Sequence, residues 1–443
     1  MAMASPEGTD TPDCIVVGGG LAGLSCALGL ARAGRSVHLI EAETAVGGRA
    51  RSVWHGGRPV DMGIHVILGG YQRTRRLLKA IDLPRRDLRP VEGVVFMRAG
   101  ERRVLGASRL RGARLPGIGA PDRVRLARLV AEVAGRPHEA LLARDDDAAS
   151  ADALLLARGF SGEAIEGLLR PLLGTLLLDR GLAVDPGYFR CVLAMLLKGP
   201  AVMPADGIGM VAEWTAAAIG QAGGRVETGV RVEALDAGPD GASVAAVATS
   251  DGRRLAARQV VLAVDAPAAR RLLAPLDAAA AERIPTEGAS ATTAAFALRR
   301  PLYSGRVILL NADDAPSGRP RIDAVCQTTG IGRPGASEGP HILLATAVTT
   351  GGAPFEGIAG EVGSLVRRWA PGYDWAGQAE LIDVYEAPYA HYRSTAGVRR
   401  SLPGHRTALR NLILAGEYTS LPSIEGAVAG GARAAEIVDA LIP

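Results

Sequence analysis

The sequence predicts an α/β fold in which a parallel sheet carries a dinucleotide-binding turn close to its N-terminal end. Three observations lead there. Asp13–Val17 is a short apolar run of the kind that forms a buried parallel strand. Gly18-Gly19-Gly20 follows at once and opens a helix-periodic stretch, Leu21–Ala33, with Leu21, Leu24, Leu28 and Ala31 on one face and Gly34 as its stop. A second strand, Ser36–Ile40, then runs into Glu41.

Each part of this unit has a physical task. Gly18, Gly20 and Gly23 make G-x-G-x-x-G: the first permits the tight turn, the second admits a pyrophosphate against backbone, and the third lets helix and strand lie close. The helix start at Leu21 and Ala22 offers unpaired N–H groups and a partial positive charge to phosphate oxygens. Glu41 stands 23 positions after Gly18 and, with Ala42, closes the second strand. A carboxylate there accepts both ribose hydroxyls of an adenosine and repels a 2′-phosphate, which argues against NADP.

The chain continues into Val46-Gly47-Gly48-Arg49-Ala50-Arg51-Ser52. This block resembles the G-G-R-x-x-[S/T] motif of two-dinucleotide-binding-domain flavoproteins, a group that includes flavin amine oxidases, protoporphyrinogen oxidases and carotenoid desaturases. Near the other end, L-A-G-E-Y-T-S-L-P-S-I-E-G-A-V-A-G-G-A-R-A-A looks like the C-terminal FAD motif of plant-type phytoene desaturases and bacterial squalene-associated desaturases. There, Asn411–Ala415 reads as a strand and Ser423–Ala440 as a helix capped by Ser423. The resemblance implies a Rossmann-type FAD-binding flavoprotein with a mixed α+β substrate domain. It implies that Gly47, Gly48 and Arg49 approach the cofactor, that Gly416 and Glu417 lie at the ribityl chain, and that Ser423, Ile424 and Glu425 bring a helix N-terminus to the flavin pyrimidine. It also sets Val232 beside the adenine. Glu417 departs from the family's Asp but keeps the carboxylate.

With 443 residues the chain exceeds a single core. The FAD-binding domain is expected from 11–72, 205–275 and 402–443, and the substrate domain, a helical lid plus a sheet, from 73–204 and 276–401. Pro121–Ala205 is helical by pattern, whereas Thr292–Leu298 and His341–Val348 read as strands and Glu356–Trp369 as a helix. Gly159–Asp179 and Gly199–Met210 also resemble stretches shared by phytoene-desaturase-like oxidoreductases.

Among the seven histidines, His65 lies in Asp61-Met62-Gly63-Ile64-His65, followed by Gly69-Gly70-Tyr71. The pattern matches D-x-G-x-H and G-x-Y of squalene-associated desaturases, where the stretch passes near the flavin ring. Two readings stand side by side: a proton carrier, since imidazole titrates near neutral pH, and a structural histidine bonded to backbone. Asp61 is expected to hold backbone N–H groups. The remaining histidines and the four cysteines have no metal-site spacing, so no metal is expected, and the thiols read as buried and reduced.

Lysine occurs only at 79 and 198, against 48 arginines. The neighbourhood where the amine oxidase branch places a lysine, Ala294–Pro301, has none. The net charge of +4 hides an asymmetry: residues 73–128 hold 15 arginines and one lysine against five acids, a local balance of +11 that leaves −7 elsewhere. Within that segment Arg123–Val130 interleaves basic and apolar residues, which predicts contact with an anionic membrane surface. Nucleic acid is not expected, because aromatics are only 4%. The polar start, Met1–Pro12, does not read as a signal peptide, and no apolar run reaches membrane-spanning length. These features predict a cytoplasmic protein, peripheral on the inner face of the membrane.

The resemblance implies hydride transfer between flavin N5 and a carbon of a long apolar isoprenoid, either as hydroxysqualene dehydroxylation or as carotenoid-type desaturation. Two alternatives stand beside it: an amine or protoporphyrinogen oxidase, and a non-catalytic prenyl-binding chaperone.

Overall fold

A computed structural model describes residues 11–106, 118–143, 148–313, 321–332 and 339–443. Residues 1–10, and the part of the basic segment at 107–117, lie outside the described residues.

The chain opens as its glycine pattern requires, with β1 (Cys14–Val17), α1 (Leu21–Arg32) and β2 (Val37–Ile40). A hairpin of β3 (Ser52–His55) and β4 (Arg58–Asp61) follows, then α2 (Gln72–Ala80), β5 (Gly93–Arg98) and β6 (Glu101–Gly106). The helical stretch holds α3 (Ala120–Val133) and α4 (Pro186–Leu197), with a π-helix at Ile165–Gly174 around Pro171. Proline lacks the N–H that an α-helical turn needs, so the wider turn accommodates the break. Next come α5 (Gly209–Gln221), β7 (Arg225–Glu227) and β8 (Gln259–Leu262). The remainder is β9 (Gly288–Leu298), β10 (Val307–Asn311), β11 (Ala324–Gln327), β12 (His341–Thr349), α6 (Ile358–Trp369), β13 (Ala379–Tyr392), β14 (Leu412–Leu414) and α7 (Ile424–Asp439).

Strands from three distant stretches build one parallel sheet in the order β14-β8-β1-β2-β7. All four residues of β1, β2 and β8 are buried, as the absence of polar alternation in their sequences predicts. A second sheet runs β13-β9-β12-β11-β10-β5-β6 and is antiparallel except where β10 pairs with β5. Sequence periodicity did not assign β5 and β6 to this sheet; the pairing is a tertiary fact. One face packs Ala294, Phe296 and Leu343 against Ile358, Val362 and Leu365 of α6. The other face, through Ala295 and Leu344, meets Val60 of the hairpin.

The helical stretch is tied to this sheet by a buried ion pair. Arg180 donates from Nε and Nη2 to Asp323, each at 2.7 Å, and Asp323 also accepts from Val348 N–H. α3 packs one apolar side on the core and keeps Arg123, Val124 and Arg128 exposed. Its apolar residues Leu129 and Val133 are buried, Arg125 is paired with Asp122 at 3.0 Å, and Arg123 donates to the Ile118 carbonyl.

Replacing Asp323 with Ala removes both carboxylate contacts of Arg180, which keeps only the Arg321 carbonyl among the described residues, and leaves the Val348 N–H without its acceptor in a site where Asp323 is 2% exposed. The expected loss is about 2–3 kcal/mol of stability, read as a lowered midpoint in urea unfolding; an unchanged midpoint would show that the pair does not hold the two units together.

Candidate active site

The dinucleotide turn is shaped by what its glycines touch. Gly18 has φ +106°, and a Cβ on it would lie 2.8 Å from the Ala263 carbonyl oxygen. A Cβ on Gly23 would sit 1.9 Å from the Gly18 carbonyl, so helix and strand meet there with no room for a side chain. Gly20 differs: nothing lies within 4 Å of the position its Cβ would take. Above it the second block docks, with Gly47 N–H donating to the Gly19 carbonyl at 2.8 Å and Gly48 exposed. α1 has no side-chain cap and no acidic residue in its first turn, so the helix start at Leu21 and Ala22 faces that open space with its positive end. Glu41 follows β2, and its carboxylate rests on the Gly19 and Glu43 N–H groups at 2.5 and 2.8 Å, beside Ala42. Val232 starts the strand Val232–Ala237 and is buried.

The two ends of the chain meet at Arg49. Its guanidinium contacts both oxygens of Glu417, at 3.2 and 3.1 Å, and donates to the Ala390 carbonyl. Glu417 follows Gly416 directly after β14 and is 3% exposed, while Arg49 stays open to solvent. Sequence reasoning placed both residues at the cofactor but not in contact with each other.

Ser423 caps α7, its hydroxyl accepting from Gly426 N–H at 3.1 Å, and Ile424 begins the helix. Glu425 has a different occupation from the one its place in the motif implies. Its buried carboxylate accepts from Arg73 N–H, Thr74 N–H and the Thr74 hydroxyl at 2.8–2.9 Å, and so caps α2, which has no cap of its own. The expected cofactor role of Glu425 is therefore limited to its backbone.

Three tyrosines grip the turn before α7: Tyr188 donates to the Pro422 carbonyl and Tyr392 to the Ser420 carbonyl, each at 3.0 Å, and Tyr71 bonds Ser423. No local pattern signals them, since they converge from three distant parts of the chain.

Asp61 does what its position predicts. It accepts from Ile208 N–H at 2.9 Å and from the Ser52 hydroxyl, and burial pushes its carboxyl up to about 6. His65 carries an unsatisfied atom. Burial pulls its imidazole down to about 4, opposed by a hydrogen bond with the Arg49 backbone. Its Nε2 is buried and has no partner. The bond to the Arg49 carbonyl is thus made by Nδ1–H, which leaves a lone pair on Nε2. This corrects the expectation of an imidazole poised near neutral pH: at pH 7 His65 is a neutral acceptor.

An uncapped helix start, open space over Gly20 and a carboxylate at the end of β2 together fit a bound dinucleotide. The family model for flavin-containing amine oxidoreductases matches residues 21–439. The chain belongs to this family. As a member it is a FAD-dependent oxidoreductase. It is 40% identical over 80 residues to the hydroxysqualene dehydroxylase of Zymomonas mobilis, covering 17% of this chain and 19% of that protein. It is 40% identical over 67 residues to the zeta-carotene desaturase of Solanum lycopersicum, covering 15% and 11%. These matches span less than a fifth of either relative. Whole-chain likeness comes from solved structures: putrescine oxidase bound to putrescine, at TM-score 0.71 and 20% identity over 97% of this chain and 99% of that one, and an oxidoreductase of Methanosarcina mazei, at TM-score 0.71 and 18% identity over 96% and 99%. At that identity they share the fold. Among the described residues no group of side chains could hold a metal ion.

Gly20 and Gly23 separate folding from cofactor binding. Gly20→Ala is expected to leave the melting temperature of the flavin-free protein unchanged and to lower bound flavin per chain by at least ~10-fold, because its Cβ enters only the cofactor's space. Gly23→Ala is expected to give insoluble or unfolded protein. Full flavin occupancy in Gly20→Ala, measured by absorbance, would contradict this placement.

Proposed function

We propose that this flavoprotein moves hydride between FAD and a carbon of a long, apolar isoprenoid, by dehydroxylation of hydroxysqualene or by carotenoid-type desaturation. The observation that carries the reading is the neutral, partnerless His65 Nε2 in an apolar setting. The segment bearing it packs through Met62 and Ile64 against Val60, Ala295, Ile342 and Leu344. An apolar setting of this kind suits a hydrocarbon chain and offers little to a charged amine. The names of the partial relatives, hydroxysqualene dehydroxylase and zeta-carotene desaturase, support the same substrate class.

Bound FAD supplies hydride exchange at carbon. The chain supplies orientation and proton handling. Loss of hydride leaves a delocalised cation whose neighbouring C–H is strongly acidic, so an acceptor with a pKa of about 4 suffices to take that proton. In the dehydroxylation direction the same lone pair would hold the substrate O–H and orient the C–O bond; that bond breaks with one proton taken up from the medium, so the oxygen leaves as water and hydride takes its place on carbon.

The test starts with the bound flavin reduced without oxygen. Adding hydroxysqualene is expected to reoxidise it and yield squalene by mass spectrometry; alternatively, oxidised protein given phytoene is expected to bleach and yield the desaturated chain. His65→Ala should slow whichever reaction occurs by at least ~100-fold at unchanged flavin content. Failure of both reactions removes the reading, and peroxide formed from an amine or a porphyrinogen places the protein in the oxidase branch.

A lipid-dissolved substrate also calls for a peripheral membrane contact. Among the described residues no helix is long and apolar enough to cross a membrane. Arg75, Arg76 and Lys79 on the outer face of α2, with Arg85 and Arg86 after it, are exposed and have no partner among the described residues. Each such cation contributes about 1 kcal/mol near an anionic surface. Flotation with phosphatidylserine vesicles is expected to carry the protein, and the fourfold Arg→Gln variant at 75, 76, 85 and 86 to stay behind. Equal binding to neutral vesicles would defeat the electrostatic contact.

A further inference from the structure

We propose that Thr293, Thr346 and Tyr385 form, with His65, a recognition site for one hydroxyl group on an otherwise apolar substrate. The inference rests on the isoprenoid reading above and narrows its substrate class to a hydroxylated chain.

The site is set by strand register. Thr293 of β9 stands directly opposite Thr346 of β12 on one side and Tyr385 of β13 on the other. Residues paired across strands project from the same face of a sheet, so three hydroxyl-bearing side chains form one row across three neighbouring strands. Ala295 and Leu344, two positions along from Thr293 and Thr346, share that face and touch Val60. The row therefore looks toward the hairpin and the segment that follows it, not toward α6.

All three residues are buried: Thr293 is 2%, Thr346 7% and Tyr385 8% exposed. The two threonine hydroxyls lie 2.9 Å apart. One O–H serves that bond, and the other has no acceptor among the described residues. Tyr385 ends the row, and its hydroxyl is not one of the fully buried polar atoms without a partner. Buried hydroxyls ordinarily find partners, so the spare threonine O–H points to a ligand group.

Gly63 supplies the space. A Cβ there would come within 3.4 Å of His65 Nε2 and 3.9 Å of Thr293 Oγ1, so an acceptor and a hydroxyl donor border one small gap. A substrate hydroxyl complements both: its hydrogen goes to the Nε2 lone pair and its oxygen accepts from the threonine pair or Tyr385. A hydrocarbon satisfies neither and leaves the buried donor and the acceptor unpaired. Sites built this way discriminate strongly against the analogue that lacks the hydroxyl. The apolar neighbours carry the rest of the chain without choosing between the two.

The experiment compares binding of hydroxysqualene and squalene to the oxidised holoenzyme in detergent micelles, read by perturbation of the flavin spectrum. Wild type is expected to prefer hydroxysqualene on the order of 100-fold. Thr293→Val with Thr346→Val, close in shape, should bring the ratio to within about 3-fold while squalene affinity stays as in wild type. Tyr385→Phe, a milder change, should reduce the ratio without altering the melting temperature. The serine pair at 293 and 346 should restore it. Lack of preference in wild type, or an undiminished preference in both the valine pair and Tyr385→Phe, overturns the proposal. Preference without turnover supports this site and counts against the reaction proposed above. Turnover with a ratio indifferent to these substitutions does the reverse.

Discussion

The cofactor site depends on two helices meeting backbone to backbone. Gly431 of α7 lies so close to α1 that a Cβ would fall 2.0 Å from the Ala22 carbonyl oxygen. Its neighbours behave alike: Gly430 abuts the Gly416 carbonyl and Gly426 the Leu421 carbonyl. Mid-helix glycine costs on the order of 1 kcal/mol against alanine, and here that cost buys proximity between segments four hundred positions apart. Once α7 rests on α1, its N-terminus, Glu417 and β14 have little freedom left. These three glycines thus serve a helix and two turns of backbone.

With the backbone held in this way, most buried charge near the site is occupied with structure. Glu425 caps α2, Asp61 joins the hairpin to the start of α5, and Glu417 holds Arg49. A buried carboxylate without donors would be costly, and each of these has them. The consequence for chemistry is selective. His65 keeps an imidazole nitrogen with a lone pair and no partner among the described residues, which suits proton acceptance and hydrogen bonding.

The two faces of the large sheet divide stability from function. The outer face packs Phe296 and its neighbours against isoleucine, valine and leucine of α6, an ordinary packed core. The inner face carries small residues and threonines, which leave room and offer hydroxyls. That contrast arises from period-two alternation along β9: Ala294 and Phe296 point one way, Thr293 and Ala295 the other.

The sequence by itself determined the βαβ unit and the cap at Ser423. Those features are written in local grammar, namely glycine at a positive φ, apolar runs of strand length, and a hydroxyl three residues before the N–H it accepts. It also singled out Arg49, Glu417 and His65 through motif spacing. What tertiary structure alone decided was which groups meet. The Arg49–Glu417 contact, the diversion of Glu425 to α2, the tyrosines at residues 420–423 and the row Thr346-Thr293-Tyr385 join positions tens to hundreds of residues apart. The same holds for the state of His65: residue type predicts an imidazole near neutrality, but burial and one backbone bond make it a neutral acceptor. Spacing along a chain specifies which groups are offered; only packing specifies which are already satisfied, and the unsatisfied ones are left for a substrate.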